Sequence, residues 1–156
     1  MTGLTANEIR RLGALPAQVD VSRVRVHRTP RRLRSAVLWV SRGRAVTLGN
    51  HVFLPDGCAG DVAVLAHELT HCGQFQRWGA PRYFMRGATA QLRELLFRGF
   101  GVGRSPYAYR LEDGKPFDSY GMEQQGQIVE DSFRGNPEAL AVSPYRPTGD
   151  QEAPSA

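Results

Sequence analysis

Two histidines four residues apart, with a glutamate directly after the first, form the most chemically distinctive part of this sequence. They are His67, Glu68 and His71 in the run LAHELTHCGQFQ. On an α-helix, residues i and i+4 share one face with Cβ atoms about 5–6 Å apart, so both imidazoles can reach one tetrahedral Zn²⁺ ion. The glutamate lies about 100° further round the helix, where its carboxylate can take a proton from the metal-bound water. The spacing predicts a zinc site with Glu68 as general base.

The alternative is an amphipathic helix whose two histidines only form hydrogen bonds in or near the core. A catalytic zinc site usually has three protein ligands and one open position, so a third ligand must come from elsewhere. We predict Glu123, which opens a helix in GMEQQGQIVEDSF, and keep Glu130, two turns further along, as the alternative third ligand. Glu130 and Asp131 are otherwise suited to hydrogen-bond the ligand histidines.

Two further groups of side chains are candidates for the same site. A tyrosine hydroxyl can stabilise the oxyanion that forms when a carbonyl is attacked, and a predicted loop carries Tyr107, Tyr109 and Tyr120. Packing with the hydroxyl at the surface is the alternative for each tyrosine. The remaining histidines, His27 and His51, precede the motif on predicted strands and are weaker candidates for the metal.

Secondary-structure signals place the motif on a helix from residue 62 to about 78, capped by Asp61 and ended by Gly79 and Pro81. A second helix, over residues 5–15, has a capping box formed by Thr5 and Glu8. Alternating or continuous apolar runs predict strands, and helical spacing predicts two later helices. These are strands at 21–26, 37–40, 45–48 and 51–54, and helices at 88–97 and 122–133.

The predicted fold class is α+β. Strands 37–40 and 45–48 would form a hairpin across Arg42 and Gly43, giving a small, mainly antiparallel sheet in the first third of the chain. Residues 1–136 are predicted to form a single domain. Residues 137–156 are rich in Pro, Ala, Ser and charged residues, which predicts a poorly ordered tail.

Composition excludes several classes of protein. A chain of 156 residues with 41% hydrophobic and 22% charged residues is typical of one globular domain. Its two cysteines, Cys58 and Cys72, predict free thiols, and its apolar runs are too short for a membrane span. The net charge of +5 reflects arginines between residues 23 and 44, but without interleaved aromatics we do not expect nucleic-acid binding. No signal-peptide pattern is present, so we expect a cytoplasmic location.

Three motifs between residues 24 and 76 together resemble a known family. RVRVHR, AVTLGNHVFLP and LAHELTHCGQFQ are similar to the zincin-like metallopeptidase domain associated with extracellular contractile injection systems. LTANEIRRL and YGMEQQGQIVED resemble a subgroup related to the Vgr spike proteins. The resemblance covers most of residues 4–134.

The resemblance implies a gluzincin-type fold, in which a small twisted sheet borders the cleft and a downstream helix completes the metal site. It implies His67 and His71 as zinc ligands, Glu68 as base, and Glu123 as the glutamate that opens an ExxA helix. Gly126 departs from that pattern, because alanine is usual at its position.

From this we expect hydrolysis of a peptide or protein substrate, which would add to the edge strand as an extended peptide. The alternative is a non-catalytic adaptor or loading module of a contractile injection or type VI secretion system. Its partner would be the secretion apparatus or a spike protein, and export would run through that apparatus.

Overall fold

The computed structural model describes residues 2–13, 19–28, 32–100, 105–112 and 114–145. These ranges contain five α-helices and one three-stranded sheet, so the predicted α+β class is confirmed. The helices are α1 (Ala6–Leu12), α2 (Arg32–Val40), α3 (Val62–Phe100), α4 (Met122–Phe133) and α5 (Pro137–Val142), and the strands are β1 (Arg25–His27), β2 (Val46–Leu48) and β3 (His51–Phe53). Among the described residues, no helix has the length and apolar character that crossing a membrane requires.

The sheet has the order β1-β3-β2, with β3 in the centre and β2 at an outer edge. β2 pairs antiparallel with β3 across the turn at Gly49 and Asn50, whereas β1 runs parallel to β3. The prediction of a mainly antiparallel sheet is therefore wrong for the β1–β3 pair. Parallel neighbours need a crossover connection, and α2 lies in the chain between β1 and the β2–β3 hairpin.

The segment predicted as a strand at 37–40 is helical, and the predicted hairpin across Arg42 and Gly43 is wrong. Its apolar residues do not enter the core, since 83% of Trp39 is exposed. The buried side chain of α2 is Arg34, whose guanidinium donates hydrogen bonds to the Leu54 carbonyl and to the carboxylate of Asp56. α2 is thus attached to the rest of the chain by a polar contact that the apolar pattern does not reveal.

Helix α3 carries the histidine motif and begins where the sequence predicts. The Asp61 carboxylate accepts hydrogen bonds from the backbone N–H groups of Ala63 and Val64. Gly79 has φ 75° and ψ 164°, which interrupts the helix at the predicted position. Helical structure resumes beyond it and reaches Phe100, so the predicted helix at 88–97 begins earlier than expected.

The first and last helices confirm one prediction and correct another. The capping box of α1 is present, because Thr5 and Glu8 exchange side-chain and backbone hydrogen bonds. The predicted disordered tail is wrong for residues 137–145, since α5 is helical and Ala139 and Tyr145 are buried. The rest of that tail, residues 146–156, lies outside the described residues.

The hydrophobic core lies between the sheet, the first half of α3 and α4. Its enclosed members from these elements and from α1 include Leu12, Val26, Val52, Leu65, Leu69 and Val129, and they are joined by Tyr145, which follows α5. Helices α3 and α4 are packed along each other, which brings the histidine motif against the first turns of α4. The tertiary structure therefore combines two segments that are about 50 residues apart in sequence.

Candidate metal centre

Among the described residues, one group of acidic, histidine or cysteine side chains lies close enough together to hold a metal ion: His67, His71 and Glu123. Their potential ligand atoms all lie within 4.8 Å of one another. Glu123 Oε2 is 3.5 Å from His71 Nε2 and 4.0 Å from His67 Nε2. All three side chains are buried, with at most 8% of each residue exposed. The structure thus brings both predicted histidines and the preferred third ligand together.

Hydrogen bonds fix the orientation of both imidazole rings. His67 Nδ1 lies 3.1 Å from Glu130 Oε2, and His71 Nδ1 lies 2.8 Å from Gln74 Oε1. Both oxygens accept hydrogen bonds, so each Nδ1 carries the proton that it donates. Each Nε2 then faces Glu123. This arrangement leaves the Nε2 atoms to serve as ligands.

The contact of Gln74 with His71 was not predicted from the sequence. The Gln74 amide donates hydrogen bonds to the Met122 carbonyl and to Gln125 Oε1, which turns its own oxygen towards His71. A glutamine three residues after a histidine on a helix is within reach of that histidine. This three-residue spacing is the sequence signal that could have identified the contact of Gln74 with His71. Gln76, by contrast, bonds to Asp20 and Asn50, away from the cluster.

Charges in the cluster shift the protonation of its members. Burial alone would lower the pKa of His71, but the charge and hydrogen bond of Glu123, with the charge of Glu68, raise it to about 9. Burial opposes ionisation of Glu123, yet the neighbouring His71 holds the pKa of this carboxyl below its usual value. The hydrogen bond from His67 lowers the pKa of Glu130. At neutral pH these shifts favour a protonated His71 beside an ionised Glu123.

The base predicted from the motif, Glu68, lies beside this cluster and contacts the sheet. Its residue is 5% exposed, and its Oε2 accepts a hydrogen bond of 2.7 Å from the Thr47 hydroxyl on β2. The same hydroxyl lies 3.1 Å from the Glu68 carbonyl. Glu68 is outside the three potential ligands, as the helical spacing predicts.

The three tyrosines have different surroundings. The Tyr109 hydroxyl donates to Asp131, and the Tyr120 hydroxyl accepts from the backbone N–H of Glu112. Tyr107 is half-buried with the Arg44 guanidinium 4.9 Å from its ring centre. Burial, followed by the charge of Glu123, raises the pKa of Tyr107 to about 12. Of these three candidates, Tyr107 is the one whose pKa is raised by the charge of Glu123.

The other histidines and the motif cysteine lie outside the cluster. His27 Nε2 is 3.0 Å from His51 Nδ1, so these two side chains pair with each other across β1 and β3. Cys72 is fully buried, and burial raises the pKa of its thiol to about 12. Cys58 and Cys72 are both free thiols, as predicted.

Comparison with known proteins adds a biological context to this geometry. Residues 7–79 match the family described as the eCIS core domain. The chain is also 29% identical over 131 residues to the type VI secretion system spike protein VgrG2b of Pseudomonas aeruginosa. These matches support a domain associated with contractile injection systems. The prediction of that association is confirmed.

The matched region is a small part of the spike protein. It covers 78% of this chain but only 12% of the length of VgrG2b. No solved structure matches the chain. The zincin-like fold and the zinc chemistry therefore stay predictions.

We expect Glu123→Ala to lower zinc occupancy more than Glu130→Ala does. The Glu123 carboxylate lies near the Nε2 atoms of both histidines, whereas the Glu130 carboxylate accepts a hydrogen bond from Nδ1 of His67. Loss of a partner that only orients a ligand typically weakens metal affinity about 10–100-fold, and loss of a ligand should exceed this. Zinc titration of both purified variants shows which of them binds zinc more weakly. A site that Glu130→Ala empties and Glu123→Ala leaves full would show that the assignment is wrong.

Because Gly126 has no side chain, the His67 ring can lie directly against this position of α4. A Cβ added at Gly126 would lie 2.7 Å from His67 Nε2, a separation that side chains do not tolerate. Glycine is therefore required with the ring in this position, which explains why this chain lacks the alanine of the ExxA pattern. Glu123 lies in the cluster despite that departure.

We therefore expect Gly126→Ala to weaken zinc binding by about 10–100-fold, the range for disturbing the orientation of a ligand. Gly87→Ala in α3 is the matched control, because an added Cβ there meets nothing within 4 Å. Both changes improve helix propensity by about 0.5–1 kcal/mol, so Gly87→Ala controls for the effect of the added methyl group on helix stability. Isothermal titration with zinc measures the effect. Equal affinities in the two variants would contradict this account of Gly126.

Proposed function

We propose that this domain is a zinc-dependent peptidase with a zincin-like fold, built into a protein associated with contractile injection. The observation that carries the proposal is the convergence of two Nε2 atoms and one carboxylate oxygen, with a separate glutamate beside them. A structural site needs no such additional carboxylate. Hydrolysis of a peptide bond is the chemistry that this combination suits best.

The donor set fits zinc. Two imidazoles and a carboxylate form the ligand set of several catalytic zinc sites, and tetrahedral coordination at ordinary bond lengths separates ligand atoms by about 3.3 Å. The separations of 3.5 Å and 4.0 Å in the cluster are close to that value. His67, His71 and Glu123 would hold the ion. When bound, zinc would supply Lewis-acid chemistry, lowering the pKa of water and polarising a carbonyl.

The chain itself would supply the base and the surrounding charges. Glu68 has one oxygen engaged by Thr47, which leaves Oε1 to accept a proton from water. Arg44 and Tyr107 are in contact with each other, the charge of Arg44 helps to lower the pKa of Glu123, and the charge of Glu123 helps to raise the pKa of Tyr107. They are the groups suited to stabilise negative charge on a substrate oxygen.

The edge strand restricts how an extended substrate could bind. The Tyr83 hydroxyl donates a hydrogen bond of 2.9 Å to the Thr47 carbonyl on β2. A peptide that adds to this edge would have to form its hydrogen bonds on either side of this carbonyl or displace Tyr83. The substrate would accordingly make a short strand contact rather than a long one.

The second candidate function is the non-catalytic adaptor or loading module. The family match and the similarity to VgrG2b favour it, because both concern contractile injection or type VI secretion and neither description mentions hydrolysis. In this case the domain would bind a spike protein or another part of the apparatus, and the metal would be structural.

Metal removal separates the two candidates. The chain is stripped with a chelator, reloaded with one equivalent of Zn²⁺, and each form is incubated with a mixed peptide library that is read by mass spectrometry. A peptidase gives cleavage products only after reloading. An adaptor gives none in either form and binds a purified spike protein instead. Cleavage that persists in the stripped chain would contradict a zinc-dependent mechanism.

A further inference from the structure

We propose that Thr47 is a positioning residue for Glu68 and that Tyr83 holds Thr47 in place from the other side. The three residues form a continuous chain of hydrogen bonds, from the Tyr83 hydroxyl to the Thr47 carbonyl and from the Thr47 hydroxyl to Glu68 Oε2. All three residues are buried, with at most 5% of each exposed. This inference rests on the proposed function, and it adds the two residues that hold the base, Glu68, in position.

The pairing of the sheet explains why Thr47 can make both contacts. Asn50 and Leu54, which flank β3 on either side, direct backbone groups to β1. The Arg25 N–H donates to the Asn50 carbonyl, and the Leu54 N–H donates to the His27 carbonyl. Backbone groups alternate in direction along a strand, so those of Val52 also face β1. Val52 is opposite Thr47, which makes them a non-hydrogen-bonded pair. The Thr47 carbonyl therefore points outward.

Tyr83 reaches that outward carbonyl because of the break in α3. Gly79 interrupts the helix four residues before Tyr83, and the left-handed conformation at Gly79 changes the direction of the chain. Burial raises the pKa of the Tyr83 hydroxyl far above its usual value, so this group stays a neutral donor. The Tyr83 ring also packs edge-on against Phe75, in the helix before the break. Tyr83 is thus fixed at both its ring and its hydroxyl.

The Thr47 contact matters because Glu68 is buried. A hydrogen bond to a charged, buried carboxylate is stronger than one between neutral groups, and it also selects one rotamer of the side chain. Without the hydroxyl, Glu68 would lose the donor at Oε2 that selects this rotamer. A base must lie within about 0.5 Å of its working position, so this loss should reduce proton transfer more than substrate binding.

The test compares Thr47→Val, Thr47→Ser and Tyr83→Phe in the full chain. Valine keeps the shape of threonine without the hydroxyl, and serine restores the hydroxyl. The first measurement is thermal unfolding of the metal-free protein, with Thr47→Val made both alone and together with Glu68→Ala. We expect Thr47→Val to lower the melting temperature by about 3–8 °C in the parent chain and by less when Glu68 is already alanine, because only the contact with the backbone carbonyl of residue 68 then remains to be lost.

The second measurement is steady-state hydrolysis by the zinc-loaded variants. We expect Thr47→Val to lower kcat at least about 10-fold with KM and zinc content little changed, Thr47→Ser to restore most of kcat, and Tyr83→Phe to have a smaller effect in the same direction. Additive melting shifts in the double variant would overturn the inference, as would a serine variant no better than valine. If the parent chain hydrolyses nothing, the proposed function fails, and the thermal cycle still decides whether Thr47 holds Glu68.

Discussion

Glu68→Gln is expected to reduce hydrolysis of any peptide that the chain cleaves by at least about 10²-fold, the usual effect of losing a general base. Glutamine has the shape of glutamate but lacks the basic carboxylate. Its amide oxygen can still accept the hydrogen bond that Thr47 donates to Glu68 in the parent chain. Zinc content and melting temperature should therefore change little, since Glu68 is not one of the three clustered ligands.

The measurement is kcat/KM for parent and variant, each loaded with one equivalent of zinc. Glu138→Gln is a suitable control, because Glu138 is an exposed residue on α5 and the substitution is chemically the same. Cleavage that survives Glu68→Gln undiminished would reject the proposed mechanism, even with a genuine zinc site. Equal inactivity of parent and variant towards broad peptide libraries would favour the adaptor.

His67→Ala and His71→Ala should each remove zinc from the protein, which we expect to purify with about one zinc ion per chain. Each substitution deletes one of three ligand atoms, and the effect should exceed the roughly 100-fold upper range seen when only a ligand's hydrogen-bond partner is lost. Metal analysis of the purified variants gives the occupancy directly. In addition, the zinc-dependent rise in melting temperature of the parent chain should vanish in both variants.

His51→Ala is the matched histidine control. His51 is an exposed residue at the start of β3, and its ring pairs with His27 rather than with the cluster. Zinc occupancy should stay at the parent level in this variant. One equivalent of zinc retained by the double variant His67→Ala, His71→Ala would exclude the cluster as the metal site.

The histidine motif shows which structural features a local sequence pattern can predict. Spacing along one helix places His67 and His71 on the same face, and this holds wherever that helix packs. The caps and breaks are similarly local, since Asp61 bonds to N–H groups two and three residues away and Gly79 acts through its own φ angle. For the same reason the bounds of α4, Met122–Phe133, agree with the predicted helix at 122–133.

Predictions that required a partner outside the segment were less successful. The apolar run at 37–40 has the pattern of a strand, but none of the three described strands pairs with it, and Arg34 attaches the segment as a helix instead. The parallel pairing of β1 with β3 and the docking of Tyr145 likewise depend on contacts with distant residues. Such contacts leave no periodic signal in the segment itself.

The sequence by itself determined the donor types, their helical spacing and the separate position of Glu68, because these follow from the geometry of one helix. Only the tertiary structure showed that the Glu123 carboxylate faces the Nε2 atoms and that the Glu130 carboxylate faces Nδ1 of His67, because the packing of α3 on α4 sets both positions. It also revealed the contact of Thr47 with Glu68 and the close approach of Gly126 to His67. The residues in these contacts are 21 to 63 positions apart, so packing rather than local pattern brings them together.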